Sequence, residues 1–174
     1  MNKYSTTLLL LLVSFFTPTY AWPFRHSKIR GVNLGSWLVL EKWITPSVFQ
    51  GTPDHVKDEH SLCQYLGYAE AQRRLKAHWD SWVTENDIVR LKNAGINMLR
   101  IPIGYWAKDI QHGEPWVWGS WDYVIKACGW AKKHGLQVMI DLHGAPGSQV
   151  SQNCLISVFE EHDSKLINIA NINM

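Results

Sequence analysis

The residues best suited to chemistry fall in three short stretches of this 174-residue chain. Val138 to Gln149 reads VMIDLHGAPGSQ, an apolar run that ends in Asp141-Leu142-His143 and opens into Gly, Ala, Pro and Ser. Ile96 to Trp106, INMLRIPIGYW, delivers Arg100 and then Tyr105-Trp106, and Gly31 to Thr45, GVNLGSWLVLEKWIT, delivers Trp37, Glu41 and Trp43. Polar side chains at the carboxyl ends of strands are where β/α folds do chemistry. A carboxylate there accepts from two adjacent hydroxyls, a guanidinium keeps a neighbouring carboxylate ionised, and an imidazole makes one further hydrogen bond. Arg100 also has plainer uses, as a cap on strand-end carbonyls or as a partner for Asp141. Competing chemistries lack their residues. Asp141 and His143 with His134 match no familiar zinc spacing, so no metal site is expected. Pro146-Gly147-Ser148-Gln149 lacks the elbow of serine hydrolases, and no glycine-rich phosphate loop occurs, so no cofactor is expected.

The elements that must position these groups follow from periodicity and punctuation. A strand is expected near Ile29 to Gly31, leading into an irregular loop marked by Thr45-Pro46 and Gly51-Thr52-Pro53. Asp58 to Leu66 reads as a short helix stopped by Gly67, and Ala69 to Val83 as a second, with Ala71, Leu75, Trp79 and Trp82 on one side. Thr84 and Asp87 have capping-box spacing and open a third helix, with Ile88, Leu91 and Ala94 as its apolar stripe, ended by Gly95. Ile96 to Ile103 is the next strand, with Pro102 near its end. Ser120 is expected to cap a fourth helix, buried along Trp121, Val124, Ile125 and Cys128 and ended by Gly135, before a strand over Leu136 to Leu142. Strands and helices that alternate through short joins imply parallel pairing with right-handed crossovers.

Composition bounds the setting. Met1 to Ala21 has Lys3, an apolar run from Leu8 to Phe16 and a small residue at the expected cut, the order of a secretory signal peptide. Lys3 is the single charged residue in that segment, so the remainder, from a chain with 17 Lys plus Arg against 15 Asp plus Glu, is close to neutral. That balance gives no basic field for nucleic acid. The apolar run is too short to span a bilayer, and no partner membrane is expected once the signal is removed. The expected product is a secreted, extracellular or cell-wall monomer. Cys63, Cys128 and Cys154 are an odd number; export permits one disulfide among them, with the pairing open.

Taken together, GVNLGSWLVLEKWIT, NMLRIPIGYW and DLHGAPGSQ resemble the exo-β-1,3-glucanase branch of glycoside hydrolase family 5, continuously from about Ile29 to Gln149. The resemblance implies an α/β fold, the (β/α)8 TIM barrel, present here as an incomplete barrel with about three parallel strands, since a whole one takes ~250 residues. It implies a retaining enzyme that releases glucose from the non-reducing ends of β-1,3-glucan, with β-glucan or its oligosaccharides as partner. It places Glu41 on hydroxyls of the terminal glucose, Arg100 beneath the nucleophile and His143 on hydroxyls near the reacting centre. Trp37, Trp43, Tyr105 and Trp106 are candidate pocket aromatics, because flat apolar faces complement the C–H faces of pyranose rings.

The catalytic pair itself is not found. Retaining glycosidases need two carboxyl groups ~5–5.5 Å apart, and the family places them as glutamates at the ends of the fourth and seventh strands, the first in an Asn-Glu-Pro context. After the third strand this chain has Glu160, Glu161 and Asp163, which read as a solvated charge cluster. The expectation is a chain organised as residues 1–21 signal, 22–149 barrel and 150–174 divergent tail, inactive by itself. Val150-Ser151 is what the common intron donor GTRAGT would encode in frame, so the tail reads as intron translation, a frameshift or a short isoform. A non-catalytic β-glucan-binding fragment and a β-1,6-glucanase or cellulase relative are the alternatives.

Overall fold

The computed structural model describes residues 28–146; the expected signal segment, the tail and Cys154 lie outside the described residues. Strands β1 (Gly31–Asn33), β2 (Met98–Gly104) and β3 (Gln137–Gly144) form a parallel sheet in chain order. Gly31 to Asn33 pair with Met98 to Arg100, which in turn pair with Gln137 to Met139. The helices are α1 (Glu59–Leu66), α2 (Tyr68–Trp82), α3 (Glu85–Asn93) and α4 (Ser120–His134), with 3-10 turns at Pro46–Phe49 and Tyr105–Ala107.

β1 begins two residues later than the alternation suggests. The Asn97 side chain accepts from Arg30 N at 2.7 Å and donates to the Lys28 carbonyl at 2.9 Å, holding the approach to the strand. The Arg30 carbonyl accepts from Asn97 N at 2.9 Å and Met98 N at 3.3 Å, and the strand proper starts at Gly31. Backbone pairing ends with Leu34, whose N–H donates to the Arg100 carbonyl at 2.9 Å. Pro102 lies two residues further along the same edge of β2, where β1 has turned away and no ladder donor is missed.

The helix starts are chemically specified. The Asp58 carboxylate accepts from Ser61 N at 2.8 Å, and Asp87 accepts from the Thr84 N–H at 3.0 Å and its hydroxyl at 2.7 Å. α4 departs from expectation. Its N-cap is Gly119, at φ 124°, and Ser120 is the first helical residue, with its hydroxyl buried and unpartnered among the described residues. Its buried line is Tyr123, Val124, Ala127 and Ala131, while Trp121 and Cys128 pack on the flank. In α2, His78 and Trp79 face inward, and Trp82 is half exposed with its indole donating to the Gly35 carbonyl at 3.0 Å. Cys63 and Cys128 are both free thiols.

Leu99, Ile101 and Ile103 point from β2 into the core formed with Ile88, Val124, Ala127, Leu75 and Trp79. Period two sends Arg100 and, on β3, Met139, Asp141 and His143 to the opposite face. That second face is the one the site occupies.

Candidate functional site

Arg100 is the centre of the arrangement. Its Nη1 donates to Asn33 Oδ1 at 2.8 Å and its Nη2 to Asp141 Oδ2 at 2.7 Å, so one guanidinium spans all three strands near their carboxyl ends. Asp141 Oδ2 also meets His143 Nδ1 at 2.9 Å. A carboxylate only accepts, so Nδ1 carries a proton and donates to Asp141, which leaves Nε2 as the acceptor in the neutral ring. The 3.5 Å approach of Arg100 Nη2 to the same Nδ1 is then proximity, since two donors face each other. His143 sits where the β2–β3 register slips: Ile103 faces Leu142 but Gly104 faces Gly144. Such an irregularity re-aims a side chain at a strand's end.

Glu41 lies in the loop that follows β1. Ser36, at φ 55°, turns this loop back on itself. Its N–H donates to Glu41 Oε1 at 3.2 Å, its hydroxyl accepts from Glu41 N at 2.9 Å, and the same hydroxyl shares a 2.6 Å bond with Thr45 Oγ1. A left-handed non-glycine residue held by this many bonds is strain that the loop sustains around one carboxylate. Gly35 makes room for it: a Cβ there would stand 3.2 Å from Asn33 Nδ2 and 3.4 Å from Glu41 Oε1. Glu41 Oε1 and Asn33 Nδ2 therefore flank the same glycine, which puts Glu41 on the loop side of the Arg100 partner.

The four aromatic candidates divide. Trp37 is 0% exposed; its indole donates to the Trp79 carbonyl at 3.0 Å and its ring lies near Tyr123 and Trp130. Trp106 is also 0% exposed and stacks on Trp116 at 3.9 Å with the planes 2° apart. Neither lines an open face, which corrects the expectation for both; an indole beside a strand-end motif serves as well to pack a loop as to stack on a ligand. Trp43 is 54% exposed, two residues past Glu41. Tyr105 spends its hydroxyl inside its own loop, donating to Glu114 and accepting from Trp116 Nε1 at 3.0 Å. Burial, with Glu114 second, pushes the Tyr105 phenol up to about 12.

Sequence reasoning passed over two residues. Asn33, carrying one arm of Arg100, was visible only as the polar end of a short alternating strand. Glu59, a wholly buried carboxylate at the start of α1, had no motif around it. His134 is remote from the cluster: it pairs with Glu85 at 2.8 Å, beyond the amino end of β3. Among the described residues no group of three or more His, Cys, Asp or Glu side chains is placed to hold a metal.

The geometry is thus a polar cluster with no metal-ligand set, on one face of a parallel sheet, at the strand ends where barrel enzymes work. Residues 63–167 match the model of the family described as Cellulase (glycosyl hydrolase family 5). The chain belongs to glycosyl hydrolase family 5. Its three parallel strands and their helices are part of that family's (β/α)8 barrel. Among curated family members it is 51% identical over 129 residues to the probable glucan 1,3-beta-glucosidase A of Aspergillus niger, covering 74% of this chain and 31% of that protein. It is 50% identical over 143 residues to the glucan 1,3-beta-glucosidase of Blumeria graminis, covering 81% and 34%. The chain thus spans about a third of the length of these relatives. The rutinosidase from Aspergillus niger superposes with a TM-score of 0.61 at 30% identity, over 69% of this chain and 34% of that one. The family match runs past Gln149 to residue 167.

Proposed function

We propose that this chain is the substrate-holding portion of a secreted, retaining exo-β-1,3-glucanase, and that the 174-residue polypeptide alone does not turn over. The observation that carries the reading is the Arg100 guanidinium joined to Asn33 and Asp141, with His143 on Asp141, and with Glu41 and Asn33 flanking Gly35. A carboxylate and an imidazole acceptor beside one cation, with a second carboxylate in the neighbouring loop, suit the vicinal hydroxyls of a terminal glucose. In this reading Glu41 grips those hydroxyls, His143 accepts one through Nε2, and Arg100 supplies the charge that keeps a nucleophilic carboxylate ionised. The names of the curated relatives support β-1,3-glucan as substrate, and Met1 to Ala21 supports export.

Hydrolysis with retention needs a pair of carboxyl groups flanking the glycosidic bond. Asp141 is bound to Arg100 and His143 and is not free to attack, and no second carboxyl lies on the same strand end among the described residues. A retaining mechanism needs two such groups, which supports reading the 174-residue chain as inactive by itself. The test is calorimetry with laminaribiose beside a laminarin hydrolysis assay: binding without glucose release is expected. Glucose release that disappears on mutating Glu160 or Glu161 would sink the reading. Because a rutinosidase is among the structural relatives, rutin and β-1,6-linked glucan belong in the same panel, and preference for either would move the linkage assignment. The reading also takes residues 150–174 as a divergent tail encoded by an unspliced intron. Transcript sequence continuing unbroken across the Gln149 codon, in step with the family match to residue 167, would remove that part alone.

A further inference from the structure

Glu59 has no part in the cluster just described, yet both of its oxygens are committed. It is the first residue of α1 and 0% exposed. Oε2 accepts from the backbone N–H of Leu40 at 3.0 Å and Oε1 from the indole N–H of Trp106 at 3.0 Å. Leu40 immediately precedes Glu41. Trp106 stands in the loop after β2, with its ring so close over the ends of two strands that a Cβ on Gly104 or Gly144 would fall 2.4 or 2.5 Å from it. One buried carboxylate therefore ties the loop after β1 to the loop after β2, and through the Trp106 ring to the end of β3.

We propose that Glu59 is a positioning residue of the sugar site, holding Glu41 in register with the Arg100–Asp141–His143 cluster. The proposal rests on the reading of that cluster as the seat of a terminal glucose. A backbone N–H held by a buried acceptor does not drift, and a sugar gripped by groups on two loops needs both at one height. Ionised, the Glu59 carboxylate accepts both bonds at full strength; protonated, it presents an O–H among donors and the tie loosens. Burial pushes its carboxyl up to about 7, opposed by the Leu40 and Trp106 bonds and aided by Asp58. The other titratable groups around it are Cys63, also on α1, and His60, whose ring stands edge-on to Trp116 at 5.2 Å. The two groups that face it from the loops, the Leu40 amide and the Trp106 indole, are neutral donors.

The test uses the isotope-labelled 174-residue chain, with indole N–H spectra and laminaritriose affinity followed together across neutral pH, in wild type, Glu59→Gln, Trp106→Phe and Glu41→Ala. The Trp106 indole resonance, assigned by its loss in Trp106→Phe, is expected to move with a midpoint near neutrality in wild type and to stay still in Glu59→Gln. Wild-type affinity should fall about fivefold as pH drops through that midpoint, and Glu59→Gln should be weak at every pH, its amide group set against one of the two donors. An indole that does not titrate in wild type, or a Glu59→Gln chain with wild-type affinity and pH profile, overturns the proposal. Should Glu59→Gln fail to fold, Trp106→Phe decides: it removes one donor and keeps the carboxylate, and undiminished affinity there overturns the proposal. A wild-type chain that binds no laminaritriose, with Glu41→Ala indistinguishable from it, sinks the sugar reading instead, and the indole titration still reports whether Glu59 ties the loops.

Discussion

Asp141 does two jobs with one oxygen, since Arg100 Nη2 and His143 Nδ1 both meet Oδ2. Asparagine at 141 could still turn its one oxygen to both donors, but as a neutral acceptor it would hold the guanidinium and the Nδ1–H far less firmly than the carboxylate does. Asp141→Asn is expected to scramble the His143 tautomer, visible in the nitrogen shifts of the ring, and to weaken laminaribiose binding about tenfold, roughly 1.4 kcal/mol. Unchanged affinity would remove Asp141 from the site. Glu59 gives a pH dependence of stability that is separate from binding. Its carboxyl titrates at about 7 in the folded chain against an ordinary 4.5. Between those values the folded state holds a proton that the unfolded state has released. Its contribution is therefore complete below pH 4.5 and is lost as pH rises through about 7, by about 3 kcal/mol in all. Urea unfolding at a series of pH values should show that decline in wild type and not in Glu59→Gln; parallel profiles would count against it.

Glycines at the ends and middles of elements separate close approach from mere tolerance. At Gly144, the last residue of β3, a methyl group would meet the Trp106 ring at 2.5 Å. The ring cannot step aside, being stacked on Trp116 and held by Glu59. Gly144→Ala is expected to cost about 1–3 kcal/mol, read as a lower urea midpoint at constant slope. Gly129, in the middle of α4, has nothing within 4 Å of an added Cβ. There the loss of backbone freedom on folding is the dominant effect, and Gly129→Ala should stabilise by about 0.5–1 kcal/mol. If the two substitutions shifted the midpoint alike, the close packing of Trp106 over the strand ends would be wrong.

At the scale of the whole molecule, the sheet has a covered face and an open one. Met139 is 43% exposed on the site face and Leu142 is 55% exposed on the other, at the outer strand. Among the described residues nothing pairs with the free edge of β3. An apolar strand edge in solution recruits another strand. If that edge stays open in the 174-residue chain, self-association at micromolar concentration is the expected outcome, against the monomer expected from its sequence. Leu142→Lys should reduce the association seen by sedimentation; a monodisperse wild type would show that the edge is covered.

The order and type of the elements were legible in the residues themselves. Gly67, Gly95 and Gly135 stop helices, Asp58 and Thr84 start α1 and α3, and alternation sends one face of β2 inward, all local effects within one turn or one strand. The side on which Arg100 and His143 lie is equally local, because period two decides it. What the chain order does not contain is which distant groups meet. Asn33 reaches Arg100 across 67 positions and Glu59 reaches Trp106 across 47. Nothing at either end of those bonds distinguishes them from a surface amide or a helix-start carboxylate. The same limit explains Trp37 and Trp106: an indole's composition is identical whether it stacks on a ligand or fills a core. Burial, which is a property of the packed whole, decided that both fill the core, and it decided too that Glu59, an ordinary acid in the sequence, is a carboxylate without water.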